Sequence, residues 1–191
     1  LAIAMGFSAG NGVVVAQHHG AKDEKSVRAN ASTGILFIMI LGIVSTIIAL
    51  IAARPAFTSL LNVDKSILNL TVTYFRWYAL GLVFQFGYNI FSAILRAVGD
   101  SAATLYFLLI SSLLNIGLDM LFVAVFKWGV AGAAVATDIS QAVSFIAAYF
   151  YMSRKYPVFR FKLNEYKWNS SLVMKTVKVG FPISLQLIVV S

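Results

Sequence analysis

The chain has 191 residues, 60% of them hydrophobic and only 12% charged, with a formal net charge of +8. Such an apolar composition is unlike that of a water-soluble domain and points to a protein of the lipid bilayer. The chain contains no cysteine, which excludes disulfide bonds, thiol catalysis and cysteine metal sites within it.

The apolar residues are grouped in segments long enough to cross a membrane. About 20 mainly apolar residues in a helix cross the hydrocarbon core of roughly 30 Å. In chain order, complete spans are predicted at residues 31–53, 77–95, 101–126 and 128–153. Residues 1–17 and 179–191 are expected to be two further spans, each cut off at an end of the chain. The sequence therefore predicts an all-α membrane protein, a bundle of transmembrane helices that is a fragment of a longer chain.

Lysine and arginine are concentrated in alternate loops. Residues 18–30, Arg96 and residues 152–178 hold 11 of the 15 basic residues. An excess of Lys and Arg in short loops marks the cytoplasmic side, so the first, third and fifth loops are predicted to be cytoplasmic. The expected partner of these charges is the lipid bilayer and not a nucleic acid, because basic residues separated by spans form no continuous stripe.

Asp119 is the only charged residue between residues 101 and 126. A lone carboxylate in a spanning helix is costly and is expected to face a protein interior or a wet cavity on an ion or substrate pathway. Asn115 lies one helical turn earlier on the same face. The next span carries Thr137 and Asp138, whose side chains point about 100° apart around the helix.

Spans 101–126 and 128–153 are predicted to form an antiparallel hairpin centred near residue 128. At about 1.5 Å per residue, this places Asp119 level with Thr137, and Asn115 level with Gln141. Carboxylate, amide and hydroxyl oxygens are suited to Na⁺ or to a water-linked proton site. A site for a coupling cation is therefore predicted at Asp119, Asn115 and Thr137, with Asp138 and Gln141 as auxiliary residues. The alternative is that these polar residues only hold helices together.

Other polar features have plainer interpretations. Asp100 follows Gly99 and is predicted to be the N-cap of the next helix, while Arg96 is expected to contact lipid or Asp100. The adjacent His18 and His19 are expected to be a solvated pair and not metal ligands. Gly132 and Ala136 have the small-xxx-small spacing that lets helices pack closely.

Three segments resemble the multidrug and toxic compound extrusion (MATE) family. Residues 95–101 read LRAVGDS, residues 114–119 read LNIGLD and residues 129–141 read GVAGAAVATDISQ. Residues 17–28 and 180–186 look like the family's second helix with its following loop and the start of its seventh helix. Asp138 departs from the family, which usually has an apolar residue there.

The resemblance implies helices two to six of a twelve-helix, two-lobe transporter. Residues 1–153 are then the N-terminal lobe without its first helix, residues 154–178 a cytoplasmic linker, and residues 179–191 the start of the C-terminal lobe. In one branch of the family, an aspartate and an asparagine on helix five, a threonine on helix six and an aspartate on helix one bind the coupling cation. Asp119, Asn115 and Thr137 match the first three.

The function implied is export of cationic or amphipathic drug-like compounds in exchange for Na⁺ or H⁺ by alternating access. A monomer in the cytoplasmic membrane, with no cofactor besides the coupling ion, is expected. An enzyme is not expected, because the chain lacks GxSxG, Walker, HExxH and paired-acid motifs. A flippase for lipid-linked precursors, or a channel-like pore of the same broad fold, remains the alternative.

Overall fold

The computed structural model describes residues 2–60, 64–162 and 165–190, which form a helical bundle with no β-strand in those ranges. The helices are α1 (Ala2–Gly20), α2 (Glu24–Pro55), α3 (Lys65–Leu80), α4 (Leu82–Ala97), α5 (Ser101–Asp119), α6 (Gly129–Lys155) and α7 (Ser170–Val190). Short π-helical segments continue α2 at Ala56–Leu60 and α5 at Met120–Val125, and a 3₁₀ turn lies at Pro157–Phe159.

Four helices are long and apolar enough to cross a membrane. They are Glu24–Thr58, Ser101–Val125, Gly129–Lys155 and Ser170–Val190. The segment predicted as a span at residues 77–95 is part of a bent pair, because α3 and α4 meet at Gly81 with an angle of 40°. Counted as one span, this pair brings the number among the described residues to five.

The first helix, expected to be a partial span, is not among the helices apolar enough to cross a membrane. It carries glycines and polar residues, including Ser8 and Asn11, and these are buried against other helices. α1 packs on α7, α4 and α2. A helix enclosed by protein needs less apolar surface than a lipid-facing one, which explains why residues 1–17 are uncharged but not strongly hydrophobic.

Close contact between α1 and α7 depends on small residues. A Cβ atom at Gly10 would lie only 2.6 Å from the backbone of Gly180, so neither helix leaves room there for a side chain. Asn11 fixes the same junction, because its Nδ2 donates to the carbonyl of Asn30 on α2 and to the hydroxyl of Thr176 on α7. Helix seven is thereby joined to the first two helices.

Aspartates start three of the helices. Asp23, Asp64 and Asp100 each accept a hydrogen bond from a backbone N–H of the first turn that follows. The cap at Asp100 was predicted. The loop expected at residues 18–30 is much shorter, because α1 runs to Gly20 and the Asp23 cap starts α2 at Glu24.

Turns 21–23 and 98–100 lie at one end of the bundle, together with residues 156–162 and 165–169, here called the connecting segment. This end is called the basic end. Arg28 of α2 holds the connecting segment by donating to the carbonyls of Val158 and Arg160 at 2.6 Å and to Glu165 Oε2 at 2.7 Å. Its guanidinium also lies 5.0 Å from the ring centre of Phe161. The segment is therefore folded against the bundle.

Candidate functional site

α5 and α6 form the predicted antiparallel hairpin, and three hydrogen bonds set its register. The Ser111 hydroxyl donates to the Ser140 carbonyl at 3.2 Å, and the Ser144 hydroxyl donates to the Phe107 carbonyl at 3.4 Å. Between them and the turn, Asn115 Nδ2 donates to Thr137 Oγ1 at 3.4 Å. Two of the three predicted ligand residues are thus in direct contact across the helix pair.

The register differs from the one expected from equal rise on both helices. That expectation set Asn115 level with Gln141. In the structure Asn115 instead contacts Thr137, which lies one turn nearer to the end of the bundle opposite the basic end, here called the far end. The three hydrogen bonds place the centre of the hairpin near residue 126 and not near residue 128. The π-helical segment Met120–Val125 contributes to this shift, because it fits more residues into each turn than an α-helix does and so advances less per residue. Counting residues at an equal rise therefore overestimates the distance of Asn115 from the turn at residues 126–128.

Asp119 is the last α-helical residue before the π-helical segment. Its side chain is half-buried, and its Oδ1 atom is buried without a hydrogen-bond partner among the described residues. It lies one turn from Asn115 on the same face of α5. Because Asn115 is the residue that meets Thr137, Asp119 lies one turn nearer to the turn at residues 126–128 and is not level with Thr137 as predicted. An unpartnered buried carboxylate oxygen is costly, and π-helical turns are frequent at functional sites. Gln141 makes no such contact with Asn115 or Thr137.

Asp138 faces a different neighbour from Thr137, as their adjacency on the helix predicted. Its carboxylate packs on Gly81, at the junction of α3 and α4, in the space that a Cβ atom at residue 81 would occupy. It is half-buried there. The second acid of α6 thus contacts the bend between two helices and does not join the Asp119 group.

A polar cluster at the basic end was not anticipated beyond the helix cap. Oδ2 of Asp100 accepts hydrogen bonds from Lys155 Nζ at 2.8 Å and from the hydroxyls of Tyr151 and Tyr156 at 2.9 Å. Burial of the Asp100 carboxyl raises its pKa, but these donors outweigh burial and leave the pKa below its ordinary value. Arg96, the expected partner, is not among the residues bonded to Asp100. The rarity of acids in the basic loops was the signal that could have identified this cluster.

Histidines do not combine with acids into a metal centre in the parts of the chain that the structure describes. No group of three or more His, Cys, Asp or Glu side chains there could hold a metal ion. The polar group on α5 and α6 is instead a carboxylate beside an amide and a hydroxyl.

Two Bacillus subtilis proteins are among the relatives of this chain. The chain is 38% identical to the probable multidrug resistance protein YpnP over 69% of its own length and 29% of that protein. It is 29% identical to the probable multidrug resistance protein YoeA over its whole length and 42% of that protein. The chain therefore spans less than half the length of these relatives.

The fold matches solved transporters in two states. An inward-facing multidrug resistance MATE family transporter of the MOP superfamily matches with a TM-score of 0.89 and 28% identity, over 96% of this chain and 42% of that one. The outward-facing form matches with a TM-score of 0.87 and 28% identity, over 96% and 41%. The profile of the MatE family covers residues 1–121. Together with the helical bundle described above, this match shows that the chain belongs to the MatE family of multi-pass membrane transporters.

Proposed function

We propose that the whole protein exports cationic or amphipathic compounds across the cytoplasmic membrane in exchange for Na⁺ or H⁺. We further propose that Asp119 binds the coupling cation together with Asn115 and Thr137. The observation that carries this proposal is the unpartnered, buried Oδ1 of Asp119, one helical turn from Asn115, which donates to Thr137. The names of the relatives support the transport class, and the protein is expected to act as a monomer.

The three side chains offer a complementary set of oxygens. Asp119 supplies a carboxylate oxygen, and Thr137 has a free lone pair because its hydroxyl hydrogen is donated to the Ala133 carbonyl at 3.0 Å. Asn115 donates through Nδ2, which leaves its amide oxygen available to a cation. Hard oxygen ligands of this kind suit Na⁺, and a proton would instead neutralise the carboxylate alone.

Binding of the cation neutralises the Asp119 carboxylate and so changes the surroundings in which this side chain is stable. An ionised, unpartnered Asp119 favours contact with water, whereas a neutralised one is compatible with a closed, apolar environment. The site lies where α5 becomes π-helical, a place at which a helix can change its winding. Occupancy would thereby favour one of the two states of alternating access over the other.

Replacing Asp119 by Asn tests the proposal in the full-length protein. The substitution keeps the size and shape of the side chain but replaces one acceptor oxygen by an NH2 donor and removes the charge that a cation would neutralise. We expect efflux of a cationic dye from proteoliposomes to fall to the level of empty vesicles. Imposing a Na⁺ gradient and a proton gradient separately then identifies the ion that drives export by the unaltered protein.

The matched control is Asp64→Asn, because Asp64 is an exposed cap of α3 and belongs to neither helix of the α5–α6 pair. This variant should export dye at the normal rate. Both variants must elute as single folded species in detergent. Full ion-driven efflux by a folded Asp119→Asn protein would refute the coupling role. Normal dye retention together with defective cell-envelope synthesis would favour a flippase.

A further inference from the structure

An aromatic cavity of about 450 Å³ opens on the side of the bundle, between α2, α4, α6 and the connecting segment. Phe91 stacks on Phe145 with ring centres 5.3 Å apart, and Tyr149 lies 5.8 Å from Phe91. Phe161 and Tyr166 of the connecting segment close the basic end of the cavity. Its size is within the range of about 300–1,000 Å³ typical of small-molecule sites.

The cavity is built without the first and last helices of the structure. No residue of α1 or α7 lines it, and α7 packs on α1 and α2. Its outer edge includes Ile146 and Phe150, which are 49% and 52% exposed. Along α6, Phe145 lies about 15 Å from Lys155, which corresponds to half of the hydrocarbon thickness of roughly 30 Å. The cavity therefore has the depth of one lipid leaflet.

A second hollow of about 360 Å³ adjoins the first, and Phe161 contributes to both. Its wall carries three cations, namely Lys25, Arg28 and Lys167. Arg28 is paired with Glu165 at 2.7 Å, so those two charges compensate each other.

The positive charges of the two lysines are not compensated by an ion pair. Lys25 and Lys167 are exposed, and neither forms an ion pair with any residue in the described ranges. The nearby Glu24 lines a different hollow, together with His19 and Lys22. The second hollow is consequently positive, while the first is aromatic and apolar.

We propose that these adjoining hollows bind one anionic phospholipid from the leaflet at the basic end. One acyl chain lies in the aromatic cavity, and the phosphate lies between Lys25 and Lys167. A cationic amphiphile would be repelled by the two lysines, and a neutral lipid would gain nothing from them. The site is separate from Asp119, which lies toward the far end of the α5–α6 pair, and it does not depend on the proposed transport function.

Photolabelling of the full-length protein in nanodiscs tests this site. The probe is phosphatidylglycerol with a diazirine on one acyl chain, compared with the same acyl chain on phosphatidylcholine. We expect phosphatidylglycerol to label residues 142–150 more strongly, as mapped by mass spectrometry of peptides. Each lysine near an anionic lipid contributes about fivefold, so Lys25→Gln should reduce the preference about fivefold and Lys25→Gln with Lys167→Gln about 25-fold.

A second variant tests the cavity itself. Ile146→Trp places a large ring at the opening and should remove labelling of residues 142–150 by both probes. Its control is Ile110→Trp on α5, a position 53% exposed that does not line the cavity. This control should label normally.

Three results would overturn the proposal. They are equal labelling by the two probes, unchanged labelling of the Ile146→Trp protein, and an unlabelled cavity in the unaltered protein. The last would mean that another part of the full-length chain covers the opening. None of these readouts depends on transport, so failure here is distinguishable from failure of the cation site.

Discussion

At the basic end, single side chains form hydrogen bonds to elements that are far apart in sequence. Asp100 starts α5 and at the same time accepts from Tyr151 and Lys155 of α6 and from Tyr156 of the connecting segment. The carboxylate is only 9% exposed, whereas the Lys155 side chain is 48% exposed. The tyrosine hydroxyls and the capped backbone therefore matter alongside the ion pair, which solvent weakens.

Asp100→Asn should lower stability without abolishing the helix cap, since Asn is also a good N-cap. Hydrogen bonds to a charged group are worth about 1.5–3 kcal/mol, and we expect a loss toward the lower value because Lys155 is half-exposed. The pKa of Asp100 is lowered in the fold, so this stabilisation is complete above the ordinary carboxyl pKa of about 3.9. It is lost as the pH falls through the folded-state pKa.

Thermal unfolding in detergent as a function of pH measures this difference. The unaltered and Asp100→Asn proteins should differ at neutral pH and converge in acid. Asp64→Asn is the control, because Asp64 caps α3 by accepting from Ser66 and has no lysine or tyrosine donor among the described residues. An equal difference at all pH values would contradict the assigned role of the Asp100 charge.

The contacts by which Arg28 holds the connecting segment should depend on the planar shape of its guanidinium more than on its charge. Its guanidinium contacts two carbonyls, Glu165 and the Phe161 ring, and a lysine ammonium cannot reproduce that fork. Arg28→Lys should therefore accelerate proteolytic cleavage of the connecting segment severalfold. Glu165→Gln should have a smaller effect, since solvent weakens an ion pair between partly exposed side chains. Equal protection in all three proteins would argue against this clamp.

Among the helices, the α5–α6 hairpin shows how local winding changes which residues meet. The π-helical segment Met120–Val125 contributes to the pairing in which Asn115 reaches Thr137. Gly132 supports the same junction, because a Cβ there would lie 3.1 Å from the Cβ of Phe122 in that segment. The predicted small-residue pattern of α6 is thus used for packing against the π-helical turn.

Disulfide crosslinking distinguishes the two registers, and this chain offers a cysteine-free background. In a full-length protein without other cysteines, Asn115→Cys with Thr137→Cys should crosslink on mild oxidation. Asn115→Cys with Gln141→Cys, the pair expected from equal rise, should crosslink much less. The reverse order, read from peptides by mass spectrometry, would contradict the register given by the hydrogen bonds.

For the molecule as a whole, we expect the helices of the predicted N-terminal lobe, residues 1–153, to keep their arrangement during transport. Its fold matches the inward-facing and outward-facing forms of the related transporter almost equally, with TM-scores of 0.89 and 0.87. A near-equal match to both states is what a part of constant shape would give. Rocking of lobes as rigid bodies is the usual form of alternating access in transporters built from repeats.

Spin labels at Ile40 on α2 and Leu109 on α5 test this rigidity. Both side chains are exposed, at 42% and 51%, so labels there should not disturb packing. The distance between them, measured by pulsed electron paramagnetic resonance, should be the same with and without substrate and driving ion. A distance from Ile40 to a label in the second half of the protein should change. A large change within the lobe would contradict rigid-body motion.

The sequence alone determined the fold class, the helix hairpin and the family, because these follow from hydropathy, helix caps and motifs that lie within single segments. It also pointed to Asp119, since a charge within an apolar span is conspicuous without any coordinates. Tertiary structure decided the rest. The register of Asn115 on Thr137, the contact of Asp138 with Gly81 and the clamp of Arg28 on the connecting segment each depend on winding and bending that bring distant residues together, and hydropathy does not record these.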